Sequence, residues 1–100
     1  MIAAAQTLTE QGYTYEVKNG EATITAVDDT IGGDVTLPSA LGGYPVTALG
    51  THVFYEKSGL VSVSVPNTVT YIADYAFFGC ADLQTVTLAN SVTKVGDCVF

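Results

Sequence analysis

Positive charge is scarce in this sequence. There is no Arg, and three Lys residues stand against ten carboxylates, so the net charge is −7. Nucleic acids and anionic membrane surfaces are bound through basic faces, because their phosphate groups must be neutralised. The composition therefore argues against both as partners.

Long apolar runs are also missing. No stretch approaches the ~18 apolar residues of a membrane-spanning helix, so membrane insertion is not expected. The first residues are too few for a signal peptide, whose apolar core has about 7–15 residues. Ala3-Ala4-Ala5 nevertheless resembles the small-residue end of a signal cleavage site. A remnant of signal cleavage and an ordinary N-terminus explain these three alanines equally well. Residues 1–12 are interpreted as an N-terminal tail.

What the sequence has instead is apolar residues, 48% of the chain, in a repeating pattern with a period of 23 (69 − 46 and 92 − 69). Three sets of residues coincide: Val46 with Val69 and Val92, Leu49 with Ile72 and Val95, and Phe54 with Phe77 and Phe100. Polar positions drift while apolar ones coincide, as in stacked units that share one core. The sequence therefore predicts a repeat solenoid over residues 35–100 with an incomplete last repeat, in which Phe77 is buried between Phe54 and Phe100.

Each repeat contains two segments of extended chain. Residues 60–65 and 83–88 alternate and are rich in β-branched side chains, which predicts strands, and shorter extended segments are predicted at 69–72 and 92–95. Stacked turns of this kind would form a parallel sheet along one face. Residues 74–80 are expected to return as a helical or 3₁₀ turn that directs three side chains inward: Ala76, Phe77 and Cys80.

Residues 13–34 are predicted to form a capping β-hairpin. Two alternating runs, 13–18 and 21–27, flank Asn19-Gly20, a pair suited to the positive φ angles of a type I′ turn. The hairpin would cover the exposed edge of the first repeat.

The first repeat carries an insertion. The run 35–38 resembles the run 63–66, but the offset between them (63 − 35) exceeds the period (69 − 46). Because insertions in repeat proteins map to loops, the surplus around residues 41–45 is expected to bulge from the solenoid.

The run Leu83-x-x-Val86-x-Leu88-x-x-x-Val92-x-x-Val95-Gly96-Asp97-x-x-Phe100, with Phe77-Phe78-Gly79-Cys80 before it, resembles the BspA-like class of leucine-rich repeats. The resemblance covers about residues 13–100 and departs from the pattern where Glu56-Lys57 replaces Gly-Cys. It implies a right-handed leucine-rich-repeat solenoid with parallel strands, assigned here to the α+β class with an N-terminal hairpin cap. It also implies a secreted or cell-surface bacterial protein that binds host macromolecules or other cells, and it brings no catalytic residues.

The residues themselves favour no enzyme. A Cys–His nucleophile pair needs its partners within about 3–4 Å. His52 and Cys98 occupy one position two repeats apart, so at about 4.8 Å per strand they should lie about 10 Å apart with Tyr75 between them. A surface column of these three residues is predicted instead. Cys80 is predicted to be a buried free thiol, and a disulfide with Cys98 is not expected.

No cofactor or metal site is expected. Asp28, Asp29 and Asp34 cluster with glycines and offer weak Ca²⁺ ligands, but the acidic residue that closes an EF-hand loop is missing. A solvated turn between the hairpin and the first repeat is favoured.

The candidate binding surface combines hydroxyls and exposed aromatics. Ser62 should stack with Thr85, and Ser64 with Thr87, with Thr36 continuing the second row, and tyrosines could serve as anchors. The predicted surface comprises Thr36, Ser62, Ser64, Thr85, Thr87, Tyr44, Tyr55 and Tyr71.

Two functional hypotheses remain open. The first is an extracellular module that binds a host or neighbouring-cell protein or glycan, and the alternative is a structural spacer of a larger surface protein. Since Phe100 falls within a repeat, further repeats are expected to follow, and the open C-terminal turn is expected to allow self-association.

Overall fold

The structure is a computed structural model that describes residues 6–100. Over that range the chain forms ten strands and no helix: β1 Gln6–Glu10, β2 Tyr13–Lys18, β3 Glu21–Val27, β4 Gly33–Thr36, β5 Ala40–Leu41, β6 Tyr44–Leu49, β7 Leu60–Ser64, β8 Tyr71–Ile72, β9 Thr85–Thr87 and β10 Lys94–Val95. The architecture is a β-solenoid of about three turns. The α+β class is therefore not supported for residues 6–100. In the same range, no helix is long and apolar enough to cross a membrane.

Two sheets run along the solenoid, whereas the sequence predicted one parallel sheet along one face. Sheet A has the strand order β1-β2-β3-β6-β8-β10, with β5 paired to β6, and sheet B has the order β4-β7-β9. Both segments of each repeat pair in parallel with their counterparts, as Tyr71 with Lys94 in sheet A and Ser62 with Thr85 in sheet B. The two partners of each pair are one sequence period apart (94 − 71 and 85 − 62), which confirms the period.

The third side of the solenoid consists of turns. The prediction of a helical or 3₁₀ turn at residues 74–80 is therefore wrong. Alternate amides donate to the neighbouring turn: His52 N–H to Asp74 O at 3.1 Å, and Phe54 N–H to Ala76 O at 2.7 Å. An α-helix would require these amides for bonds within its own segment. His52 also has a φ of 63°, in the left-handed region, which interrupts any helical run.

The core consists of columns of apolar side chains, one from each turn. Phe77 is 1% exposed and stacks on Phe54 and Phe100 with ring centroids 5.1 and 5.7 Å apart, which confirms the predicted phenylalanine stack. Burial is lost at the last turn, where Phe100 is 65% and Val95 47% exposed. Cys80, expected to be buried, is half-buried.

The N-terminal hairpin forms as the sequence predicts. Asn19 and Gly20 have φ angles of 55° and 78°, as a type I′ turn requires. β3 then pairs in parallel with β6, so the hairpin extends sheet A. Its capping role stays a prediction. The interpretation of residues 1–12 as a tail missed β1, which pairs with β2, and the proposed cleavage remnant lies outside the described residues.

The insertion is a second hairpin and does not bulge freely. β5 and β6 pair across Gly42 and Gly43, whose φ angles are 58° and 85°. Leu41 is fully buried, and the Gly42 N–H donates to Glu10 Oε2 at 3.0 Å. The insertion therefore packs against the N-terminal strands.

We expect Phe77→Ala to destabilise the domain by about 3–5 kcal/mol, because it removes a buried ring between two others. That loss is a large share of the roughly 5–15 kcal/mol that stabilises a small domain. Phe78→Ala deletes the same ring from the next position, where it is 38% exposed, and should cost about 1–2 kcal/mol. Thermal unfolding followed by circular dichroism compares the two variants. Equal losses would contradict the inward assignment of Phe77.

We expect Gly42→Ala to lower the melting temperature more than Gly43→Ala. Both positions have positive φ, but a Cβ at Gly42 would clash with the hydroxyl of the buried Tyr15, whereas a Cβ at Gly43 meets nothing within 4 Å. With Tyr15→Phe in the background, the nearest contact becomes an ordinary 3.4 Å to the ring. A double-mutant cycle should therefore show rescue. Additive losses would show that this contact is not limiting.

Candidate functional site

Sheet B displays two rows of polar side chains in register. The first row contains Asp34, Ser62 and Thr85, and the Ser62 hydroxyl donates to Asp34 Oδ1 at 2.7 Å. The second row contains Thr36, Ser64 and Thr87. The predicted stacking of hydroxyls is confirmed, including the place of Thr36. Binding by these rows stays a prediction.

The three candidate tyrosines do not join this surface. Tyr71 is half-buried in β8 of sheet A, where Lys94 Nζ lies 5.5 Å from the centre of its ring. Tyr44 is 39% exposed on the inserted hairpin, and Tyr55 is 37% exposed on the turn side. The eight predicted residues are therefore distributed over sheet A, sheet B, the insertion and the turns, and they do not form one site.

The acidic segment before β4 sends its carboxylates to different partners. Asp28 Oδ1 accepts hydrogen bonds from the Thr30 amide and hydroxyl, both at 2.9 Å, and these bonds lower the pKa of Asp28. Asp29 pairs with Lys57 at 3.1 Å. Asp34 accepts from Ser62. Between residues 6 and 100, no group of three acidic, His or Cys side chains converges as metal ligands would.

His52, Tyr75 and Cys98 form the predicted surface column. The rings of His52 and Tyr75 are stacked, with centroids 5.1 Å apart and planes 5° from parallel. The Cys98 sulfur raises the pKa of the Tyr75 phenol, because negative charges on both groups would repel each other, and Asp74 and Asp97 act in the same direction. Tyr75 separates His52 from Cys98, so the column does not bring a nucleophile to a base.

Cys80 is placed apart from this column. Its Sγ donates to Phe54 O at 3.0 Å, and burial raises the pKa of the thiol. It lines an apolar groove of about 540 Å³ on the last turn, together with Phe77, Leu83 and Phe100. The thiol therefore contributes to an apolar surface, and burial outweighs the opposing effect of Lys57 on its pKa.

A second aromatic column was not predicted. Tyr55 and Phe78 stack beside the first column, with centroids 5.7 Å apart. Edge contacts join the columns, His52 to Tyr55 at 4.9 Å and Tyr75 to Phe78 at 5.4 Å. We call these four residues the aromatic grid. Their spacing of three within each turn, repeated one period later, is visible in the sequence as His52-x-x-Tyr55 and Tyr75-x-x-Phe78.

Comparisons with known proteins agree with this architecture. The family model described as "BspA type Leucine rich repeat region (6 copies)" matches residues 45–100. Among curated proteins, none matches the chain.

Three solved structures of leucine-rich repeat proteins are similar to the chain. The protein TpLRR of T. pallidum is 29% identical over 90% of this chain and 42% of its own, with a TM-score of 0.80. A protein of Bacteroides capillosus is 30% identical over 89% of this chain and 70% of its own, with a TM-score of 0.80. A cell surface protein of Faecalibacterium prausnitzii is 32% identical over 94% and 27%, with a TM-score of 0.78.

This chain thus spans less than half the length of the first and third of these proteins. The repeating register, the paired parallel sheets and the family match over residues 45–100, more than half of the chain, lead to the same assignment. The chain belongs to the family of BspA-type leucine-rich repeat proteins.

Proposed function

We propose that this protein is a binding module of a bacterial surface or secreted protein, which recognises a protein or glycan of a host or neighbouring cell. The family and its bacterial relatives support the proposal, as does the similarity to a F. prausnitzii protein described as a cell surface protein. The repeat fold is generally non-catalytic, and we propose no enzymatic activity.

The observation that carries the proposal is the polar face of sheet B. Its two rows are made of hydroxyl side chains from three successive turns, with Asp34 at one end of the first row. Beneath them Val35 and Val63 are buried, so the face is supported by packed core. Solenoids use such extended, repeated faces to bind macromolecules, because a rigid scaffold orders no residues on binding.

The alternative is a spacer without a ligand of its own. It is favoured by the β-propensity of Thr, which alone suffices to explain hydroxyls on a solvated sheet. A spacer would keep its role when another solenoid of equal length replaced it. Binding would then depend entirely on neighbouring domains.

A glycan and extracellular-matrix array probed with the chain tests the proposal, with an unrelated acidic solenoid as control. We expect binding above the control, and we expect Ser64→Lys/Thr87→Lys to reduce it by about tenfold if sheet B is the face, since ammonium groups buried at the interface would lack partners. Asn67→Lys/Asn90→Lys makes the same change of charge at exposed positions beyond the ends of β7 and β9 and should bind as the unmodified chain does. Binding no stronger than the control would refute the binding module and favour the spacer.

We also propose that the isolated chain self-associates through its last turn. Phe100, Val95 and Leu88 are 65%, 47% and 39% exposed there, beside the apolar groove. Covering such a surface removes apolar area from water. Light scattering should detect dimers that Phe100→Ser weakens and that Leu8→Ser, at a 37% exposed position in β1, does not. A monomer at all concentrations would refute the self-association.

A further inference from the structure

The aromatic grid is held in place by the backbone of the turns. His52 and Tyr75 share a positive φ, at 63° and 59°, a conformation that residues other than Gly adopt uncommonly. The Glu56 amide donates to Phe78 O at 2.8 Å, which ties the second column to the next turn. The rings also pack against one another, stacked within each column and edge to face between columns, and this packing reduces the side-chain entropy that binding would cost.

Three of the four grid rings are exposed although they are large and mostly apolar. Tyr55 is 37% and Phe78 38% exposed, His52 is exposed as well, and Tyr75 is half-buried. The inward positions of the same turns are already filled by Phe54 and Phe77. Contiguous exposed aromatic side chains mark interaction surfaces, and aromatic residues supply much of the binding energy at interface centres.

Carboxylates flank the grid, and the chain's own cations lie elsewhere. Asp74 and Asp97 are close enough to act electrostatically on Tyr75, and Asp74 Oδ1 accepts the Asp97 amide at 2.8 Å. Of the lysines, Lys57 pairs with Asp29, and Lys94 lies over Tyr71 in sheet A. Within residues 6–100, the contact of Lys94 with Tyr71 is the one cation–π pair. No lysine of the described residues therefore lies over a ring of the grid.

Aromatic faces next to carboxylates are complementary to Arg and Lys side chains. A cation over an aromatic ring contributes about 0.5–2 kcal/mol, and the field of a chain of net charge −7 favours the approach of a basic partner. A neutral glycan would stack on the rings and donate hydrogen bonds to the carboxylates, but it would gain nothing from their negative charge. The charges therefore favour a protein partner.

We propose that the aromatic grid, His52, Tyr55, Tyr75 and Phe78, is the docking surface for a partner protein that presents Lys or Arg side chains to these rings and to Asp74 and Asp97. The assignment rests on the proposed binding function and adds to it a second face with a stated partner class. This face lies on the turn side of the solenoid and is separate from the polar face of sheet B.

The probe is a set of peptides with Arg or Lys at every third position in a Gly-Ser frame, and matched peptides with citrulline or acetyl-lysine. NMR titration of the intact chain should show shifts at the amides of the grid with the cationic peptides and not with their neutral counterparts. Affinity should fall as salt is raised, because Asp97 is exposed and Asp74 is only half-buried, so salt screens both charges. Shifts confined to other faces, or equal binding of neutral peptides, would overturn the proposal.

Paired variants separate the grid from general attraction to an acidic chain. Tyr55→Ser/Phe78→Ser should weaken peptide binding by about tenfold, whereas Tyr44→Ser, at an equally exposed tyrosine, should leave it within about twofold. Asp74→Asn keeps the oxygen that accepts the Asp97 amide and should weaken binding more than Asp82→Asn, which changes the net charge equally at an exposed site elsewhere. Equal effects within either pair would overturn the proposal. The proposal would also be overturned if the folded wild-type chain bound no cationic peptide. The stacked rings would then contribute to stability only.

The outcomes also distinguish this inference from the binding function on which it rests. Glycan or protein binding that maps to sheet B, with no binding of cationic peptides at the grid, would refute the grid and leave the binding module standing. Glycan binding at the grid without peptide binding would refute the partner class. Absence of all macromolecular binding in the array would refute the binding module itself.

Discussion

The backbone hydrogen bond from one turn to the next is the interaction on which the rest of the structure depends. It runs along all three sides of the solenoid, through the parallel pairs of sheets A and B and through the turns, where Phe77 N–H donates to Val99 O at 2.8 Å. Because these bonds satisfy the amides of one repeat with the carbonyls of its neighbour, a single repeat has no stable fold alone. The domain is therefore stabilised between repeats.

The constant register converts a repeated sequence into columns of side chains. Inside, the columns are made of hydrophobic side chains. Within residues 6–100 the buried side chains are all aliphatic or aromatic, and the phenylalanine stack is the largest example. Outside, the same register produces the hydroxyl rows of sheet B and the aromatic grid. Core and surface are thus products of one geometric rule, and a change of register would disrupt both together.

The sequence predicted the features that depend on this periodicity. Apolar coincidences such as Val46 with Val69 indicate stacking directly, and Asn19-Gly20 indicates a hairpin from local turn chemistry. β1 was not predicted because most of its residues are polar and it pairs with β2 through backbone hydrogen bonds. Such bonds do not require particular side chains, so the sequence does not reveal them. The return segment looked helical because i to i+3 spacing fits a helix and a series of tight turns equally well.

The candidate site was less predictable for a related reason. The His52 column was visible from one repeated position. The second column required knowledge of the tight turn that starts at that position, in which the Tyr55 amide donates to His52 O at 3.1 Å and brings the two rings together. Without that contact, the pattern predicts Tyr55 only as a separate anchor and gives Phe78 no place on the surface. The hydroxyl rows needed only the alternation of strands, and their register was predicted correctly.

The register also limits which insertions and deletions the sequence can accept during evolution. The inserted hairpin shows that extra residues are accommodated where they form paired structure of their own, outside the stacked segments. Elsewhere, an insertion of a single residue inside a strand would turn the following side chains of that strand to the opposite face, whereas gain or loss of a whole repeat leaves each column in line. Recombination between the copies would therefore alter the length of the rod in whole turns, and the reach of the protein could evolve without any change of fold.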